Sequence, residues 1–219
     1  MNNRPIGVFD SGLGGLTVVK ALKEIMPYED IVYLGDTARC PYGGRSTETI
    51  RSFGRQDALF LNSMNIKMLV VACNTVSSVA LDSVKDVIRE IPVLGVVKPG
   101  CKAASKSTMS KRVGVIGTKA TIRTRAYKSG IQKVDPGIEV FSKECPLFVP
   151  LAEEGLIDHE ITNLVISYYL DEFISIGIDS IVLGCTHYPI LMESIQGVIG
   201  SNIQLIDSAY WTAREAGDI

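Results

Sequence analysis

With only two histidines among 219 residues, the chain is poor in the commonest neutral metal ligand, and its scattered carboxylates show no recognisable ligand spacing. Metal-assisted chemistry is therefore not expected. Lysine and arginine together number 22 against 24 aspartates and glutamates, a net charge of −2 that gives no electrostatic reason to bind a phosphate backbone. Nucleic acid is excluded as a primary partner. No apolar run reaches the roughly 18 residues that span a membrane. The opening Met-Asn-Asn-Arg-Pro lacks the basic flank, apolar stretch and small-residue cleavage site of a secretory signal. These absences predict a cytoplasmic protein without a membrane partner. Cysteines stand at 40, 73, 101, 145 and 185, an odd number with no CxxC pair, which argues against structural zinc and a disulfide framework. Free thiols are expected.

What is present is an ordinary globular composition, 46% hydrophobic and 21% charged. Short β-branched runs alternate with longer amphipathic stretches. Strands are expected at 6–9, 31–34, 68–72, 93–96, 113–116, 138–141, 181–183 and 203–206. A helix with Ile161, Leu164, Val165 and Tyr168 on its buried face is expected, and another starting at the N-cap Ser46 with Phe53, Phe60, Leu61 and Met64 inward. Strand–helix alternation implies parallel sheets with helical crossovers, an α/β fold. The two halves also match in order. Ile6-Gly7-Val8-Phe9-Asp10-Ser11 corresponds to Val113-Gly114-Val115-Ile116-Gly117-Thr118, and Val71-Ala72-Cys73-Asn74-Thr75 to Leu183-Gly184-Cys185-Thr186-His187. Two similar lobes follow, with the boundary after Val97, where Lys98-Pro99-Gly100 interrupts the pattern. The first lobe is read as 1–97 plus 207–219, its C-terminal part short, and the second as 98–206.

Ligands of parallel α/β sheets bind beyond the carboxyl ends of the strands. Four polar clusters occupy such places: Asp10-Ser11-Gly12, Asp36-Thr37 leading to Cys40-Pro41-Tyr42-Gly43, Cys73-Asn74-Thr75, and Cys185-Thr186-His187. The glycines at 12, 14 and 15 match neither GxGxxG nor GxxxxGK[ST], so a nucleotide site is disfavoured. They read as a tight turn whose free N–H groups could hold a carboxylate. Cys73 and Cys185, at equivalent strand ends, are the sharper signal. Inverting a carbon stereocentre requires a proton taken from one face and another returned to the opposite face, which two opposed thiols can do. Both need a neighbour to handle charge, because an ordinary thiol is mostly protonated at neutral pH. His187 is such a neighbour for Cys185. Cys40 fits the cleft rim, Cys101 and Cys145 fit the core, and His159 fits the solvated surface. A GxSxG elbow is missing, which argues against a serine hydrolase. Redox chemistry by the thiol pair stands as an alternative.

At this point the sequence resembles the glutamate racemase family of the aspartate/glutamate racemase superfamily. The resemblance runs through IGVFDSGLGGLTV at 6–18, YLGDTARCPYG at 33–43, KMLVVACNT at 67–75, VGVIGT at 113–118, CPLFVPLAEEG at 145–155 and LGCTHYPIL at 183–191. It implies two lobes with parallel-sheet cores and flanking helices, related by a pseudo-twofold, with the active site in the cleft between them. It also implies racemisation of glutamate without a cofactor or a metal, supplying D-glutamate for peptidoglycan. By the same resemblance Cys73 deprotonates D-glutamate and Cys185 L-glutamate, Asp10 and Glu153 are acidic partners of the thiols, and His187 assists Cys185. Ser11, Tyr42, Gly43, Asn74, Thr75 and Thr186, together with Asp10 and His187, match substrate-holding positions, and Thr118 and Thr121 belong to the same cleft. Members of the family continue past Asp207-Ser208-Ala209 into a part that completes the first lobe. Here 207–219 is what returns, which is expected to leave helices of that lobe exposed and open to homodimer formation. The competing readings are a racemase of aspartate or a related acid, and a two-lobed protein that binds an acidic amino acid without turnover.

Overall fold

A computed structural model describes residues 3–219. The chain begins with β1 (Ile6–Asp10), α1 (Leu16–Ile25), β2 (Ile31–Gly35), α2 (Thr47–Asn62), β3 (Met68–Val71), α3 (Asn74–Val79), α4 (Leu81–Val87) and β4 (Val93–Gly95). After α5 (Val97–Ser107) the pattern repeats, with β5 (Arg112–Gly117), α6 (Lys119–Arg123), α7 (Ala126–Val134), β6 (Glu139–Glu144), α8 (Phe148–Glu153) and α9 (Glu160–Ile176). It ends with β7 (Ser180–Gly184), α10 (Met192–Ile199), β8 (Gln204–Asp207) and α11 (Ser208–Gly217).

The strands form two four-stranded sheets, ordered β2-β1-β3-β4 and β6-β5-β7-β8, and every pairing is parallel. The orders are the same once β5 to β8 are set against β1 to β4, so the halves matched in sequence are matched in topology. Helices cover both faces of each sheet, which is why β1, β3 and β7 are buried at every residue and read as continuous apolar runs rather than alternating ones. Observed strands agree with the expected ones, except that β6 runs on to Glu144.

Both detailed helix expectations need correction. On α9 the buried face is Thr162, Ile166, Tyr169, Leu170 and Phe173, while Ile161, Leu164 and Tyr168 are 50%, 64% and 78% exposed. The helix is apolar most of the way round, so two faces satisfy the same spacing. On α2, Ser46 does cap the helix, accepting from the Thr49 N–H at 3.2 Å. The inward stripe, however, is Ile50, Gly54, Asp57, Ala58 and Leu61, with Phe60 and Met64 exposed. A glycine and an aspartate hold core positions there, and no count of apolar residues finds them. The Lys98-Pro99-Gly100 segment is not a break either, since it forms the first turn of α5. A proline costs no hydrogen bond in a first turn, where the N–H groups lack intrahelical partners.

The final helix, α11, follows directly on β8 of the second sheet and crosses to the first. Its Ala209, Ala213 and Ala216 pack in one core with Val18, Ala21 and Leu22 of α1. Small side chains allow this close approach. Among the described residues no helix is long and apolar enough to cross a membrane.

Candidate active site

The sheets bring the strand ends at Asp10, Cys73, Gly117 and Cys185 to one place between the halves. A small cavity there is lined by Ser11, Cys40, Pro41, Tyr42, Gly43, Cys73, Asn74, Thr75, Thr118, Val149, Cys185, Thr186 and His187. It has room for the centre of a water-sized sphere over only about 20 Å³. An open cavity of about 650 Å³ adjoins it, sharing Cys40, Pro41 and His187 and reaching Glu153. Hydrogen bonds join the halves around the cavity: Ala120 N–H donates to the Gly43 carbonyl at 3.1 Å, the Thr75 and Thr118 hydroxyls lie 3.1 Å apart, the Thr186 hydroxyl donates to Asp10 at 3.3 Å, the Thr17 hydroxyl to the Thr186 carbonyl at 3.2 Å and the Tyr127 hydroxyl to Asn74 Oδ1 at 2.6 Å.

Cys73 and Cys185 follow equivalent strands, β3 and β7, and meet the same cavity from different sheets. Both are buried. Burial pushes the Cys73 thiol up to about 12, with the Asp10 charge adding to it and N–H groups of Val76 and Ser11 opposing. Burial likewise raises Cys185, against the His187 N–H and with the charges of Asp10 and Cys73. Each thiol therefore holds its proton at neutral pH until a neighbour takes it.

His187 is that neighbour for Cys185. Its Nδ1 lies 3.8 Å from the Cys185 sulfur, and its Nε2 lies 3.1 Å from Glu153 Oε1. An ionised carboxylate can only accept, so the Nε2 proton goes to Glu153 and the Nδ1 lone pair is left facing the thiol. Asp10 is fully buried, and burial raises its carboxyl, offset by His187 when that ring is protonated and by backbone N–H groups. Its Oδ2 accepts from Gly12 N–H at 3.1 Å and Gly15 N–H at 3.0 Å. Two of the glycine-turn N–H groups expected to be free for a ligand, those of Gly12 and Gly15, are thus taken by the chain's own carboxylate.

Other expected residues divide. Ser11, Gly43, Asn74, Thr75, Thr118 and Thr186 line the cavity, whereas Thr121 stands behind Thr118, its hydroxyl 3.1 Å from that of Thr118. Tyr42 lines it too, but its hydroxyl is used elsewhere. It bonds the Asp36 carboxylate and lies 3.0 Å from Asp57 Oδ2, and Arg39 pairs with both carboxylates. Burial holds the Asp57 carboxyl up at about 6. This network behind the 36–43 loop was missed because Asp57 lies in a helix, away from any motif. Cys40 lies on the rim as expected, and Cys101 and Cys145 are core residues. Exposed His159 caps α9, its Nδ1 accepting from Ile161 N–H at 3.2 Å. All five cysteines are free, and among the described residues no cluster of three or more His, Cys, Asp or Glu side chains could hold a metal ion.

Two thiols that line one cavity from different sheets are the groups that a proton exchange on the two sides of one carbon requires. The profile of the Asp/Glu/hydantoin racemase family matches residues 10–216. The chain belongs to that family. Among its Asp/Glu/hydantoin racemase relatives, the glutamate racemase of Chlorobaculum tepidum is 52% identical over 218 residues, covering 100% of this chain and 80% of its own length. The crystal structure of glutamate racemase from Francisella tularensis in complex with D-glutamate aligns with a TM-score of 0.93 and 44% identity, covering 100% of this chain and 81% of that one. A glutamate racemase isoform from Bacillus anthracis aligns with a TM-score of 0.95 and 38% identity, covering 100% and 82%.

Proposed function

We propose that this protein is a glutamate racemase, interconverting L- and D-glutamate through Cys73 and Cys185, and that its D-glutamate serves peptidoglycan synthesis. The observation that carries the mechanism is the arrival of two thiols at one cavity from equivalent strands of two sheets. The choice of glutamate rests on relatives of that name at about half identity over the whole chain.

In the L to D direction, His187 Nδ1 accepts the Cys185 proton and the resulting thiolate removes the α-proton of L-glutamate. The Cys73 thiol delivers its proton to the other face, giving D-glutamate. The Cys73 thiolate is then balanced by the proton on His187, and the reverse reaction starts from that thiolate. Glu153 holds the His187 tautomer, while Asp10 supports the Cys73 side. Hydrogen-bonding groups at Ser11, Gly43, Asn74, Thr75 and Thr186 hold the carboxylates and ammonium. A preorganised polar surround of this kind lowers the cost of the carbanion-like transition state. In the same reading 1–97 with 207–219 forms the first lobe and 98–206 the second, supported by the packing of α11 on α1 and of α5 on α7.

Incubating L-glutamate and, separately, L-aspartate in deuterated water tests this. Deuterium at the α-carbon with formation of D-glutamate, and little change in aspartate, is the expected result. Glutamate that keeps its α-proton would leave a binding protein, not a racemase.

A further inference from the structure

The geometry points to Tyr127 as a positioning residue that fixes which end of the Asn74 amide faces the substrate. This rests on the reading of the cavity as the glutamate site and deepens it.

Asn74 is buried at the start of α3 and lines the cavity. Its Oδ1 accepts from the Tyr127 hydroxyl at 2.6 Å, while its Nδ2, also buried, has no partner among the described residues. A buried donor without a partner keeps the full cost of its desolvation, so in the working site a ligand acceptor is its natural complement. Which end of the amide faces the cavity is decided by Tyr127. A separation of 2.6 Å is typical of O–H···O and short for N–H···O, so the hydroxyl faces the carbonyl end of the amide. Burial holds the phenol protonated, keeping it a donor.

Tyr127 sits on α7, in the half opposite Asn74, and is itself 2% exposed. Its ring lies against two glycines, Gly100 of α5 and Gly184 of β7, where an added Cβ would come within 3.1 and 3.3 Å of ring carbons. Gly184 directly precedes Cys185. The hydroxyl is thus aimed across the boundary by close packing of the ring, which a Cβ at either glycine would crowd. The consequence for recognition is an NH₂ donor presented to the substrate, suited to a carboxylate oxygen and not to an ammonium.

Binding of D-glutamate by calorimetry and steady-state racemisation in wild type, Tyr127→Phe, Asn74→Ala and the double variant test this. Tyr127→Phe should raise both Kd and KM about two- to tenfold, with kcat within about twofold, because the amide can then turn either end to the ligand: about twofold if the two ends are equally favoured, more if the carbonyl end prevails. The double variant should bind no more weakly than Asn74→Ala alone. An unchanged Kd in Tyr127→Phe, or losses that multiply in the double variant, would overturn the assignment, since a structural role acts independently of Asn74. Asn74→Asp covers the case in which Tyr127→Phe does not fold. It keeps an acceptor for Tyr127 but removes the donor, and Kd should rise about a hundredfold; unchanged or tighter binding overturns the proposal. Wild type that binds D-glutamate without turning it over would sink the racemase reading and leave this one standing. Wild type that does not bind it would sink both.

Discussion

Gly14 is the surface against which His187 closes: a Cβ on Gly14 would lie 2.6 Å from His187 Nδ1 and 2.6 Å from the Thr186 hydroxyl. The glycine turn thus serves contact between the two halves. Gly14→Ala should hold the halves apart and displace the ring that faces Cys185. Overpacking of this kind costs about 1–3 kcal/mol, and since it falls on the closed form, kcat/KM should drop roughly five- to a hundredfold. The melting temperature should move little, because either half can relax by opening. A fully active Gly14→Ala variant would mean that this contact is not part of the working state.

Replacing one thiol separates exchange from inversion. Removing a positioned acid or base costs about 10²- to 10⁴-fold, so Cys73→Ala and Cys185→Ala should each lose racemisation on that scale. Cys73→Ala keeps the Cys185 side and should still wash the α-proton of L-glutamate out into deuterated water with retention. Cys185→Ala should do so with D-glutamate. Polarimetry and proton NMR on the same sample read inversion and exchange together. Inversion surviving at the wild-type rate in either variant would end the two-thiol mechanism.

Why these thiols were legible in the sequence and other parts were not has a physical basis. Cys73 and Cys185 follow fully buried strands, whose continuous apolar runs mark their own carboxyl ends, and the repeat sets one against the other. The α9 face was misread because Ile161, Leu164 and Tyr168 are as apolar as the residues that pack, and only the neighbouring sheet chooses between the faces. Tyr127 carries no local signal at all. Its role depends on two distant glycines and on the opposite half of the molecule. The bonding of the Tyr42 hydroxyl was not legible because Asp57, its buried partner, lies 15 positions away on α2.

His187 and Glu153 give a prediction constrained by thermodynamics. L- and D-glutamate have equal free energies in water, so any variant must lower kcat/KM by the same factor in both directions, however one-sided its role. His187→Asn removes the proton acceptor beside Cys185 and should cost about 10²- to 10³-fold. Glu153 is exposed, and its pairing at 3.1 Å mainly orients the ring. Glu153→Gln should therefore cost only about tenfold. The side that each serves should appear in the isotope effect. With His187→Asn the α-deuterium effect should grow for L-glutamate, whose proton Cys185 removes, more than for D-glutamate. Equal growth for both enantiomers would detach His187 from the Cys185 side.

Alkaline stability follows from the buried thiols. Burial holds Cys40 up at about 11 and Cys73 and Cys101 at about 12, while in an unfolded chain such thiols ionise near 8.5. Between those values the folded state binds more protons than the unfolded one, so stability falls as pH rises. The contribution is complete below the unfolded value and is lost as pH climbs through the folded ones. The urea midpoint should thus be lower at pH 9.5 than at pH 8, below the range in which tyrosines ionise substantially. Cys101→Ala removes one of these groups from a site outside the cavity and should make the decline shallower, whatever it does to the midpoint at pH 8. Thiolate absorbance near 240 nm should stay flat to pH 9.5 in the folded protein and rise near 8.5 in urea. A folded-state thiol titrating near 8.5 would show that burial does not hold these protons, and the decline would then be absent.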